Sequence, residues 1–184
     1  MVRARLCSQN AHKLEELRAA LPDWELQLLD ADDYPPEDGE TYDENARGKA
    51  LYGHLVGPAD EWMLGEDSGI ESEALAGAPG LKSARWAPAS QQAEALVERL
   101  AGESNRRARM IAVLVALAPD GTETVGVGVL DGTIADEPRG EGGFGYDPVF
   151  IPNGEQQTVA ELGDEWKRAN SHRARAAAAL LAVS

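Results

Sequence analysis

Residues 107–135 constrain this chain most. "RARMIAVLVALA" and "TETVGVGVLDGTIA" read as two long strands, with Pro119, Asp120 and Gly121 between them. Proline presets the first turn dihedral and glycine accepts positive φ, so the pair is read as a long antiparallel hairpin. The other segments alternate in type. "ARLCS" reads as a strand, 11–21 as a helix with Leu14, Leu17 and Leu21 at helical spacing, and "WELQLLD" as a second strand. An acidic loop at 30–40 precedes a helix over 41–56, and "EWMLGED" reads as a short buried strand ending in two carboxylates. "ASQQAEALVERLAG" reads as an amphipathic helix stopped by Gly102, and a last helix starts near Ser171. Mixed order plus a hairpin predicts an α/β fold with a mixed sheet.

The 184 residues suit one domain, 1–184, with a full core. No apolar run approaches the ~20 residues of a membrane span, and "MVRARLCSQN" lacks a signal peptide's apolar stretch. Cys7 is the single cysteine, which fits a reducing, cytoplasmic setting and a small core residue. A net charge of −15 disfavours nucleic-acid polymers as partners. A small anionic ligand with a metal remains compatible with it. Only four of the 17 basic residues are lysine: Lys13, Lys49, Lys82 and Lys167. Where arginine is the rule, each lysine hints at a need for a compact ammonium.

The stretch "GEGGFGYDP" at 140–148 contains G-x-G-x-x-G. A dinucleotide loop needs a strand before the glycines and a helix after them. Pro138 and Pro148 argue against both, which leaves a glycine-rich turn carrying Phe144, Tyr146 and Asp147.

Four islands carry candidate chemistry. "SQNAHKLEE" puts Ser8 and Asn10 before a helix and Lys13 in its first turn, an arrangement that suits phosphate or an ordinary N-cap. "PEDGETYDENARGKA" holds Glu37, Glu44, Asn45 and Lys49, with Asn45 and Lys49 on one helical face. "LGEDSGIESEALAGAPGLKSARW" sets Glu66 and Asp67 at a strand end, where carboxylate oxygens suit Mg²⁺. "LGDEWKRANSHRARA" brings Lys167, Ser171, His172 and Arg173 to a helix start, fit for an anion.

In this order the islands resemble the inosine triphosphate pyrophosphatase family over nearly the whole chain. Ser8, Asn10, Lys13 and Glu16 fit its [ST]-x-N-x-x-K-x-x-E, "YDENARGKA" its E-N-A-x-x-K-A, and "EDSG" its [DE]-D-S-G. The G-x-P-G, S-A-R, "GGFGYDPVF" and "SHR" elements follow. Departures are Glu66 for the usual Asp, Lys82 before Ser-Ala-Arg, and Asn170 before Ser-His-Arg. The resemblance implies an elongated mixed sheet with flanking helices, two lobes around a central cleft, and a homodimer. It also implies Mg²⁺-dependent hydrolysis of ITP, dITP and XTP to the monophosphate and pyrophosphate.

For the site, the resemblance implies Mg²⁺ held by Glu37 and Asp67 with help from Glu44 and Glu66, and Asp67 is assigned to deprotonate or orient the attacking water. Ser8, Lys13 and Lys49 would hold the triphosphate, within a substrate segment that includes Gln9, Asn10, Ala11 and His12. Ser68, Phe144, Gly145, Tyr146, Asp147, Lys167, His172 and Arg173 would complete the nucleotide contacts. Phe144 would stack on the purine, Asp147 would hold its N–H edge, and Arg173 would meet the 6-oxo group. The glycines would let backbone approach the base. Two alternatives stay open: a pyrophosphatase for modified pyrimidine or methylated nucleotides on a related fold, and a nucleotide sensor without turnover.

Overall fold

The structure is a computed structural model that describes residues 1–183. Its six strands form one mixed sheet in the order β2-β1-β3-β4-β5-β6. The strands are β1 (Val2–Leu6), β2 (Trp24–Leu28), β3 (Trp62–Ser72), β4 (Arg107–Leu117), β5 (Glu123–Ile134) and β6 (Phe150–Pro152). The helices are α1 (Ala11–Ala20), α2 (Tyr42–Val56), α3 (Gln92–Arg99), α4 (Val159–Asn170) and α5 (His172–Leu181). The expected hairpin is β4 and β5, closed by the Ala118 N–H to Thr122 carbonyl bond, with Gly121 at φ 86°. No helix among the described residues is long and apolar enough to cross a membrane.

The chain forms two compact units. The first comprises, among the described residues, 1–67, 112–128 and 173–183, and the second 68–111 and 129–172. In the first unit β1 pairs in parallel with both β2 and β3, in registers such as Val2↔Trp24 and Leu6↔Leu64. Leu14 and Leu17 of α1 and Leu180 of α5 pack on Leu6, Leu26, Leu64 and Leu114 to make its core. Glycine sets the spacing between helix and strand at one position that matters for function. A Cβ on Gly65 would stand 1.9 Å from the Ala46 carbonyl oxygen. Only glycine in β3, facing the buried Ala46 and Ala50 of α2, lets helix and strand come this close.

In the second unit, α3 and the start of α4 cover Ile70, Met110, Leu130 and Ile134. β6 pairs antiparallel with β5, Ile134 opposite Phe150. The sequence reading missed α4. Its signal is Thr-Val-Ala-Glu: Thr158 Oγ1 accepts the Glu161 N–H at 3.2 Å, and Glu161 accepts the Thr158 N–H at 2.8 Å. That reciprocal cap starts the helix, and Gly163, at φ 79°, interrupts it.

One expectation is corrected here. β3 does not end at Asp67 but runs on through Ser72, so Glu66 and Asp67 lie in mid-strand. β3 has a neighbour on each side in the sheet, and Ile70 is buried in the second core. Ladder pairing and that apolar anchor carry the strand through Ser68-Gly69, which in isolation reads as a turn.

Candidate active site

The first unit gathers its charged residues where α2 lies on β3. Lys49 is 7% exposed. Its ammonium donates to the Glu66 carbonyl oxygen at 2.9 Å, pairs with Glu37, and lies 3.7 Å from Asp67 Oδ1. Asn45 donates to Asp67 Oδ2 at 2.9 Å and accepts the Gly39 N–H at 2.9 Å. Two carboxylates from different segments thus converge on one cation. Burial pushes the Asp67 carboxyl upward from its ordinary value; Lys49 and the Asn45 bond oppose this, while Glu37 and Glu66 add to it.

Glu66 is 0% exposed. Its two oxygens face different cations: Lys13 Nζ at 2.5 Å from Oε2 and Arg173 Nε at 2.9 Å from Oε1. Arg173 also bonds Glu16 at 3.1 Å. Burial alone would raise the Glu66 carboxyl, but Lys13, Arg173 and Lys49 outweigh it and hold the group well below the usual carboxylate range.

The start of α1 is capped by its own side chains. Asn10 is the N-cap, its Oδ1 accepting the N–H groups of His12 and Lys13 at 3.0 and 3.2 Å. Ser8 Oγ accepts the Asn10 N–H at 3.1 Å. Gln9, Ala11 and His12 are exposed. Glu44 is exposed as well, and its carboxylate accepts the Glu40 N–H at 2.7 Å. The Cys7 thiol is pushed up to about 12 by burial, as suits a core residue.

The second unit holds a separate cluster. Asp147 Oδ2 accepts the Phe144 N–H at 2.8 Å and the Lys167 ammonium at 2.5 Å. The same ammonium sits 4.5 Å from the centre of the half-buried Phe144 ring. Tyr146 donates its hydroxyl to the Ser83 carbonyl at 2.8 Å, and burial raises that hydroxyl's pKa. Gly145 follows Phe144 at φ 63°. His172, the first residue of α5, is 5% exposed, and Ser68 is half-buried on β3. Of the departures, Lys82 is exposed and Asn170 bonds the Trp166 carbonyl at 2.9 Å.

The glycines of 140–148 serve the protein's own packing. A Cβ on Gly143, at φ 73°, would stand 2.1 Å from Asp147 Oδ2. One on Gly140 would stand 2.7 Å from the Glu161 nitrogen at the start of α4. The turn therefore closes on its own carboxylate and on a helix end. The contact of Gly140 has no local signal, because it depends on where α4 begins. Arg173 likewise has two nitrogens committed to Glu66 and Glu16, which the sequence did not foresee.

A mixed sheet bearing buried ammonium groups interleaved with carboxylates defines an α/β enzyme that handles charged oxygen groups. The chain belongs to the Ham1 family, whose model matches residues 4–183. It is 45% identical to the dITP/XTP pyrophosphatase of Deinococcus deserti, over 95% of this chain and 85% of that protein. It is 41% identical to the dITP/XTP pyrophosphatase of Deinococcus radiodurans, over 98% and 92%. Among solved structures it is similar to a HAM1 protein from Coxiella burnetii, with TM-score 0.84 and 35% identity over 100% and 98% of the two chains.

Proposed function

We propose that this protein is a Mg²⁺-dependent pyrophosphohydrolase that converts ITP, dITP and XTP to the monophosphate and pyrophosphate. One observation carries the reading: Glu37 and Asp67 converge on a single buried cation, the Lys49 ammonium, beside the Lys13 helix start. The printed names of the relatives at 41–45% identity support the substrate class.

The residues fit Mg²⁺. The converging donors are hard carboxylate oxygens with no thiolate or imidazole among them. Among the described residues no group of three or more His, Cys, Asp or Glu stands ready for a metal. Mg²⁺ uses one or two protein carboxylates and completes its octahedron with water and phosphate oxygens. Glu37 and Asp67 would hold it; of the two carboxylates expected to help, Glu66 faces Lys13 and Arg173 with its oxygens and Glu44 accepts the Glu40 N–H. Bound there it would polarise phosphate oxygens and offset charge on the departing pyrophosphate.

The chain's own groups supply the rest. Asp67 takes the proton from the attacking water or orients that water. Lys13 and Lys49 meet the triphosphate charge, with Ser8 beside them. In the second unit Phe144 is assigned to the purine face, its turn held by Asp147 and Lys167. The resemblance adds a homodimer, which sedimentation of the purified protein tests, and the single cysteine fits a reducing, cytoplasmic setting.

Incubation with ITP and Mg²⁺, with inorganic pyrophosphatase coupled to phosphate detection, is the direct experiment. Turnover is expected, together with complete loss in EDTA and an unchanged circular dichroism spectrum. Activity in EDTA, or unfolding on chelation, would count against the metal assignment. Modified pyrimidine and methylated nucleotides in the same panel test the alternative class. A second check concerns Arg173. Given its pairing with Glu66 and Glu16, we expect Arg173→Ala to lower kcat/KM for ITP and ATP alike. Selective loss of ITP would return Arg173 to the base edge.

A further inference from the structure

We propose that Asn45 is the positioning residue of the catalytic carboxylate: its side-chain amide ties Asp67 to the loop that carries Glu37, and Gly39 makes the tie possible. The inference rests on the reading of Asp67 as base and Glu37 as metal ligand.

Asn45 is 6% exposed and uses both ends of its amide. The oxygen accepts the Gly39 N–H and the nitrogen donates to Asp67 Oδ2, each at 2.9 Å. These partners fix the amide's orientation, because a backbone N–H requires an acceptor and a carboxylate requires a donor. No other residue type of this length offers both. Aspartate would set a second negative charge against Asp67, and serine is too short to span the two.

The loop is built to receive this amide. A Cβ on Gly39 would stand 2.7 Å from Asn45 Oδ1 and 2.9 Å from the Glu44 Cβ, so the backbone approaches α2 only as glycine. Two further contacts fasten the same loop to the same helix: the Glu40 N–H on Glu44, and Glu37 on Lys49. Asn45 joins this fastening to Asp67 through a hydrogen bond at each end. The site needs Glu37 and Asp67 at a fixed separation, and a displacement of about 1 Å in such a geometry can lower the rate ~10²-fold. The amide sets that separation.

Three variants separate the two ends of the tie. Asn45→Asp keeps an acceptor for Gly39 but faces Asp67 with a carboxylate. Its kcat on ITP is expected to fall about 10- to 100-fold, while amide exchange at residues 37–40 stays as in the wild type. Gly39→Ala pushes the loop away and leaves the Asp67 bond. Exchange at 37–40 is expected to quicken by about tenfold or more, and the Mg²⁺ concentration for half-maximal rate to rise, with a smaller loss of kcat. Asn45→Ala should show both effects. Melting temperatures accompany each variant, and a simple packing role would lower them without splitting kcat from exchange. Wild-type kcat in Asn45→Asp, or unchanged exchange in both Gly39→Ala and Asn45→Ala, overturns the proposal. Exchange is read without turnover. If the wild type releases no pyrophosphate from ITP, the function reading fails while the loop tie is still decided.

Discussion

Asp67→Asn is expected to lower kcat on ITP by about 10²-fold or more, the scale of losing a positioned base. The substitution preserves size and leaves an oxygen for the Asn45 amide; it also removes one of the two charges assigned to Mg²⁺, so kcat is compared at saturating metal. What it removes is the ability to take a proton from water. Burial leads the causes that raise the Asp67 carboxyl, and the charges of Glu37 and Glu66 add to it. The Asp67 carboxyl of the metal-free protein should therefore titrate above the ordinary aspartate range, as carbon NMR across pH reads it, while steady-state kinetics of phosphate release check the loss of kcat. A variant that turns over ITP at the wild-type rate removes Asp67 from the role of base.

Glu66→Gln should be the most damaging single change to stability, at about 3–5 kcal/mol, the usual result of breaking a buried ion pair from one side. Glutamine occupies nearly the same volume, so packing is not the cause. The loss comes from Lys13 and Arg173, which would keep their charges with their shared buried partner neutralised. The pH dependence has a definite sign. The folded-state Glu66 carboxyl lies below its unfolded value, so its ionised form contributes in full above the ordinary glutamate range. That contribution is lost only as pH falls further, through the folded-state value. Urea unfolding of both proteins should show a gap that is constant from neutrality down to about pH 5 and narrows in stronger acid. A gap under about 1 kcal/mol at neutral pH would mean that these pairs do not hold the first unit together.

Much of this was legible in the chain, for identifiable reasons. The hairpin, α1 and α2 were placed from periodicity and turn residues, signals that reside within about a dozen neighbouring positions. Asn45 and Lys49 stand out by helical spacing, Glu37 by its acidic loop and Asp67 by its carboxylate pair, the family resemblance groups them, and the structure brings the four together. What escaped was decided by long-range partners. β3 continues past Asp67 because neighbouring strands and the second core hold it, and no local pattern announces that. Arg173 meets Glu66 across 107 positions of chain. Gly140 and Gly142 meet the start of α4, whose only local signal is the Thr158 and Glu161 capping pair, and Gly143 meets Asp147.

The first unit is assembled from three separated stretches of chain, the last of which begins at Arg173. This has a consequence for the order of assembly. Ala176, Ala177 and Leu180 belong to the core that Leu6, Leu17 and Leu64 begin, and they join it from far along the chain. Until they do, the earlier portion of the unit has an open apolar surface, and Glu66 has yet to meet, across 107 positions, one of its two cations. Closing a loop of that length costs conformational entropy before its contacts form, so this unit is completed late in folding, and a chain held before that step exposes apolar surface to association and proteolysis.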